Sequence, residues 1–190
     1  MTPQEVGERL ASRFAAAEAS VSGGEAYARA TVDVPPEDWP DAVRSARDIP
    51  ELACDFFDWL SAVDELDEGY AVVAHLWSTT HRHGVLLRTR VPREAPAVPS
   101  VVDVFPGAAW HERETHEMFG VDFPGHPGGL APLLLPPEFE GHPLRKDFVL
   151  ATRVAKDWPG AKEPGESESG GPKRQKMRPP GVPAPGEWGR

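Results

Sequence analysis

Proline is the residue that most limits what this chain can fold into. There are 22 prolines, and most fall after residue 91. Each fixes φ and removes a backbone donor, so helix interiors and central strands must lie where proline is absent. Residues 157–190 hold seven Pro and seven Gly, with only Trp158, Met177, Val182 and Trp188 as large apolar side chains. That is too little burial to offset ordering entropy, so residues 151–190 are expected to be a tail, disordered when alone. The remainder is long enough for one core of usual size.

Apolar spacing places the elements within that remainder. Val6, Leu10 and Phe14 recur every four residues after Pro3, which predicts a helix over 3–19 ended by Gly23 and Gly24. Residues 26–34 alternate as a strand, and 37–47 form a short helix behind Pro35 and Pro36. A sheet-forming block follows at 52–63, 70–78 and 85–91, with Leu87, Thr89 and Val91 on one face. Residues 107–119 read as a helix stopped by Gly120, and 121–150 lack periodicity. The order predicts an α+β fold, a two-layer sandwich of helices on a mostly antiparallel or mixed sheet, followed by an extended segment and the tail. The divisions are an N-terminal helix (1–24), a core (25–106), a helix with an extended docking segment (107–150) and the tail (151–190).

Charge and cysteine exclude several functions. A net charge of −10 argues against nucleic acid as the main partner. No stretch approaches the roughly 18 apolar residues of a membrane span. The acidic N-terminus does not read as a secretory signal. A lone cysteine, Cys54, rules out an internal disulfide or an all-cysteine cluster, and makes a reducing cytoplasmic setting the expectation. Cys54 is expected inside a strand as a small core residue. His75 reads as structural, and His81 and His83 are two ligands at most.

The run from His111 to His116 nearly spells a zinc-protease helix. That motif needs histidines four apart, about 40° around the helix; five apart, they diverge by about 140°. A metal-dependent hydrolase using His111, Glu112 and His116 is therefore disfavoured, and Arg113 breaks a di-iron pairing. The charges around Trp110, Met118 and Phe119 fit either a solvated helix face or a recognition helix. Arg145 and Lys146 lack the glycine loop of a nucleotide site, and an extended docking peptide fits residues 141–148 better. In the tail, Lys173, Arg174, Lys176 and Arg178 suit either a solvated linker or contact with an acidic partner or anionic lipid.

Three stretches together resemble a known family: Glu112-Arg113-Glu114-Thr115-His116-Glu117-Met118-Phe119-Gly120-Val121-Asp122-Phe123, Gly125-His126-Pro127 and Pro143-Leu144-Arg145-Lys146-Asp147-Phe148. That family is the thirty-kilodalton (C) subunit of the proton-pumping NADH:quinone oxidoreductase, respiratory complex I. The resemblance covers roughly residues 25–150. It implies an α+β scaffold in the peripheral arm on the cytoplasmic side of the membrane, packed chiefly against the quinone-pocket-forming subunit. FMN, iron–sulfur clusters, NADH and quinone would be held by other subunits. This chain would supply no catalytic, cofactor-binding or metal-binding residue, and would meet the membrane only through the complex.

By the same resemblance the partner-docking residues are Glu112, Arg113, Glu114, Phe119, Gly120, Phe123, Gly125, His126, Pro127, Pro143, Leu144, Arg145, Lys146, Asp147 and Phe148. Arg145→Glu or Lys146→Glu is expected to lower assembly while leaving the domain folded. The sequence departs from the family at His116-Glu117, where an aromatic residue and Asp are usual. It departs again at Gly129-Leu130-Ala131-Pro132, where an acidic-Leu-Arg-Arg run is usual. The alternatives are a diverged paralogue, the corresponding subunit of a membrane-bound hydrogenase-like complex, or an assembly or interaction module.

Overall fold

The computed structural model describes residues 1–24 and 27–149. Helix α1 (Pro3–Ala11) begins at a capping box: Thr2 accepts from the Glu5 backbone N–H and Glu5 accepts from that of Thr2. After α1 come strands β1 (Glu18–Ser22) and β2 (Arg29–Asp33), then α2 (Trp39–Asp48), behind a 3₁₀ turn at Pro36–Asp38. Strands β3 (Phe56–Asp64), β4 (Tyr70–Trp77) and β5 (Gly84–Val91) form a meander, and α3 (Ala108–Phe119) follows. The order in the sheet is β1-β2-β5-β4-β3, with β2 and β5 parallel and every other pair antiparallel. The mixed α+β architecture expected from the sequence is the one observed.

Period-two alternation sorts the strands into two faces. Val32, Leu87, Val72, Ala74, Leu76 and Leu60 are buried, as are Val6 and Leu10 of α1 and Trp39, Ala42, Val43 and Ala46 of α2. Gly7 brings α1 onto the sheet, since a side chain there would lie 3.3 Å from Ala19 Cβ. Along β3, Trp59 and Val63 stay exposed while Leu60 and Ala62 are buried. Trp59 stacks on His75 of β4, 6.1 Å between centroids.

Two expectations are corrected. The helix predicted over 3–19 ends at Ala11, because residues 18–22 pair with β2 in register Ser20↔Thr31. Pairing across the sheet overrides the helix propensity of an alanine-rich stretch. The N-terminal segment is therefore part of the same sheet and not a separate helical unit. Cys54 lies before β3, not within a strand; its backbone N–H donates to Ala46 O as the chain leaves α2. It is buried all the same.

A candidate docking site on helix α3 and its strap

Helix α3 ends where the sequence places its stop. Gly120 takes φ +75, and its N–H donates to His116 O at 2.7 Å. Glycine has a second task here. A Cβ at this position would sit 2.6 Å from His142 Nε2 and would overlap the Arg145 guanidinium. The missing side chain lets residues 142–145 close on the end of α3.

The segment expected to dock on another protein folds back as a strap along α3. His126 Nε2 donates to Ala109 O (3.2 Å) while its Nδ1 accepts from the Gly128 N–H (3.3 Å), which fixes the tautomer. One turn on, Arg113 donates to the carbonyls of Ala131 (3.0 Å) and Pro132 (2.8 Å), with its guanidinium over the Trp110 ring. Another turn on, the Glu117 carboxylate accepts the successive N–H groups of Leu133, Leu134 and Leu135 at 3.1, 2.8 and 2.9 Å. Three consecutive amides converging on one carboxylate form a backbone anion nest.

The strap then crosses the end of the helix. His142 Nδ1 lies 2.9 Å from Glu117 O, and the Leu144 N–H donates to Met118 O. Burial pushes the His142 pKa down, against the Glu117 carbonyl, which favours the charged ring. Arg145 Nε donates to Phe119 O at 2.6 Å, and its guanidinium lies 5.4 Å from the Tyr70 ring centroid. Arg93 packs on the same ring at 5.2 Å. Asp64, its side chain 1% exposed, accepts from Arg93 (2.7 Å) and from the Lys146 N–H (2.8 Å), so it ties sheet to strap. Burial alone would raise the Asp64 pKa. The Arg93 guanidinium and the Lys146 and Leu66 N–H groups outweigh it and hold the value at about 2.

Glu112 is 0% exposed and faces inward. Its carboxylate accepts from Ser100 Oγ and the Val101 N–H, both at 2.7 Å, which anchors the loop before α3. Burial raises its pKa against the pull of those donors. Phe119 and Phe123 are also core residues. These three predicted docking residues thus build the frame instead of facing outward. Arg113, His126 and Arg145 are half-buried, each with a side-chain nitrogen at a backbone carbonyl of the strap or of α3. Arg145→Glu is therefore expected to loosen the strap where it crosses the end of α3, since Arg145 Nε donates to Phe119 O there.

Exposed among the predicted set are Glu114, Gly125, Pro127, Leu144, Lys146 and Asp147, with Pro143 and Phe148 half-buried. Phe148 stacks on Phe139 at 5.9 Å. Apolar side chains outside that set are exposed too: Trp110, an anchor in the recognition-helix reading, at 62% and Leu134 at 60%. The same segments carry exposed acids at Glu114, Asp122, Glu138 and Glu140. Sequence reasoning also missed Glu117, His142, Asp64, Arg93 and Ser100. Glu117 had a usable signal, a carboxylate one turn before the helix stop in a chain whose next segment is a Leu-Pro run. Asp64 had none, because its partners lie 29 and 82 residues away.

The histidines of the near-zinc motif diverge as their spacing predicts. His111 Nδ1 accepts from the Leu60 N–H at 3.4 Å, whereas His116 Nδ1 lies beside Val121 O at the far end. Among the described residues no group of three His, Cys, Asp or Glu side chains could hold a metal ion. Nor is any helix among them long and apolar enough to cross a membrane.

Comparison with known proteins gives a consistent set of likenesses. Residues 32–154 match the family described as respiratory-chain NADH dehydrogenase, 30 Kd subunit. The chain is 46% identical over 122 residues to the NADH-quinone oxidoreductase C subunit of Roseiflexus castenholzii, covering 63% of this chain and 70% of that protein. It is 43% identical over 145 residues to the protein of the same name from Roseiflexus sp. strain RS-1, covering 75% and 82%. Among solved structures, a chain of the membrane-bound sulfane sulfur reductase, an archaeal respiratory membrane complex, superposes with TM-score 0.66 at 28% identity. The match covers 79% of this chain and 87% of that one. The trypsin-resistant fragment of Nqo5 shares the fold, with TM-score 0.55 at 23% identity over 67% and 98%.

Proposed function

This chain belongs to the family of the 30 kDa subunit of respiratory-chain NADH dehydrogenase, and from that premise we propose that it is a scaffold of the complex's peripheral arm. In this reading it binds no cofactor and contributes no catalytic residue. It holds neighbouring subunits, chiefly the one forming the quinone pocket, while FMN and iron–sulfur clusters elsewhere carry electrons from NADH to quinone. Proton translocation is a property of the whole complex, which this chain joins on the cytoplasmic side, reaching the membrane through its partners.

The observation that carries the proposal is the pinned strap. Arg113, Glu117 and Arg145 are spent on backbone of the strap and of α3, while Trp110, Leu134 and Leu144 stay exposed on segments that also carry exposed Glu114, Glu138 and Glu140. A fixed apolar face with a charged rim suits a protein partner. It does not suit an anionic lipid surface, which the acids would repel.

A second reading shares the same surface. The 28% likeness to a chain of the archaeal sulfane sulfur reductase supports a related membrane complex with another electron donor or acceptor. The docking role is the same, and the partners set the chemistry.

The test is affinity purification of the tagged chain from its host in mild detergent, with quantitative mass spectrometry. Cluster-bearing and membrane subunits are expected at equal stoichiometry, and a Leu134→Asp/Leu144→Asp variant is expected to lose them while keeping its circular dichroism. Their identities distinguish an NADH-linked complex from the alternative. Recovery of the wild-type chain alone would refute the scaffold role, and substoichiometric recovery would point to an assembly factor.

A further inference from the structure

Beside Trp110 the strap leaves an open cleft of about 310 Å³, lined by Ala109, Trp110, Arg113, His126 and residues 127–129 and 131. That volume lies at the lower end of the range for ligand sites. Its floor has no side chains at Gly128 and Gly129: a Cβ at Gly129 would meet nothing within 4 Å, and one at Gly128 only His126 Cε1 at 3.8 Å. The indole wall is held in place by the Arg113 guanidinium, 5.5 Å from its ring centroid. An aromatic wall beside bare backbone is the shape that receives an extended proline-rich segment.

The chain carries such a segment itself. Residues 179–185 read Pro-Pro-Gly-Val-Pro-Ala-Pro, and Lys173, Arg174, Lys176 and Arg178 come immediately before. In a polyproline II helix Pro180 and Pro183 share one edge, about 9 Å apart. Overall charge favours the pairing, and because the cleft itself is lined by Arg113 the basic run would lie outside it, toward Glu114. Residues 1–149 hold 12 Lys and Arg against 25 Asp and Glu, a formal −13, whereas residues 150–190 hold eight against five, a formal +3. Exposed Glu114 lies one helical turn beyond Trp110, on the same side of α3. Length is sufficient, because the 30 residues from 150 to 179 can reach up to roughly 100 Å. Covalent linkage also raises the effective concentration of so short a ligand into roughly the millimolar range.

We infer that residues 179–185, led in by the basic run 173–178, dock in the Trp110 cleft of the same chain. The inference concerns the free chain and does not depend on which complex it joins.

The test uses the full-length, isotope-labelled chain with a nitroxide attached at Ala184→Cys, since the native Cys54 is buried. Docking is expected to remove most of the signal intensity of the Trp110 indole N–H and the Gly128 and Gly129 amides, sparing Gly7 and Gly84. A Pro180→Ser/Pro183→Ser variant, altered only in the tail, should restore those signals, and Arg174→Glu/Lys176→Glu should restore them in part. Even intensities at all five glycine and indole positions would overturn the inference. So would broadening that survives the proline substitutions, or broadening that appears only on concentration, which would place a second copy in the cleft.

Discussion

Replacing Glu117 by alanine should release the strap without unfolding the sheet. The carboxylate takes three backbone N–H groups at 2.8 to 3.1 Å, and the side chain that holds them is itself largely buried. Each such bond contributes about 1 kcal/mol net, so their loss amounts to about 3 kcal/mol. That corresponds to roughly a hundredfold in a local opening equilibrium. The β4 ladder does not depend on Glu117, being paired on both sides by β3 and β5. Hydrogen exchange read amide by amide separates the two. Leu133, Leu134 and Leu135 should exchange about a hundredfold faster, or lose protection entirely, while Val72 and Ala74 change by less than about tenfold. Glu117→Gln, which keeps one acceptor oxygen, should fall between. Equal acceleration of strap and β4 amides would mean that the strap opens only with the core, and no change at 133–135 would mean that Glu117 does not hold them. Either result refutes the reasoning.

Two further predictions concern titration. The folded-state Asp64 pKa is depressed to about 2 from an ordinary 3.8. Its contribution is therefore fully present above about pH 4 and lost as the pH falls toward 2. Acid titration of thermal stability should show that loss in the wild type and not in Asp64→Asn, which should itself be less stable at neutral pH because Arg93 then keeps only its exposed partner Asp147. Burial, with a smaller effect of Asp55, pushes the Cys54 thiol up to about 12. A disulfide reagent at pH 8 should leave Cys54 unmodified in the folded chain and label it once denaturant is added, and rapid native labelling would contradict the burial.

The parts of the fold carried by local pattern were legible. Alternation marked β4 and β5, and a helical run ended by glycine marked α3. Strand β1 was not legible, because nothing within residues 18–22 announces a partner that follows in β2. The site was half legible. Its motifs could be picked out, yet Glu112 was read as facing a partner when it is buried, and half-buried Arg145 holds a carbonyl of its own chain. A charged side chain reads as surface until a buried donor or carbonyl for it is known, and those donors and carbonyls belong to peptide groups, which every residue has. The strap's course could not be read for the same reason: Glu117 and Arg113 recognise main chain, and main chain leaves no trace in the order of residues.

That mode of anchoring has a consequence for how such a surface can change. Arg113, Glu117, His142 and Arg145 grip amides and carbonyls, so the side chains at Leu134 and Pro132 are under no obligation to the grip. The shape of the display and the message displayed are separable. A lineage could rewrite the outward residues one at a time, moving from one partner to another, without ever passing through an unfolded intermediate.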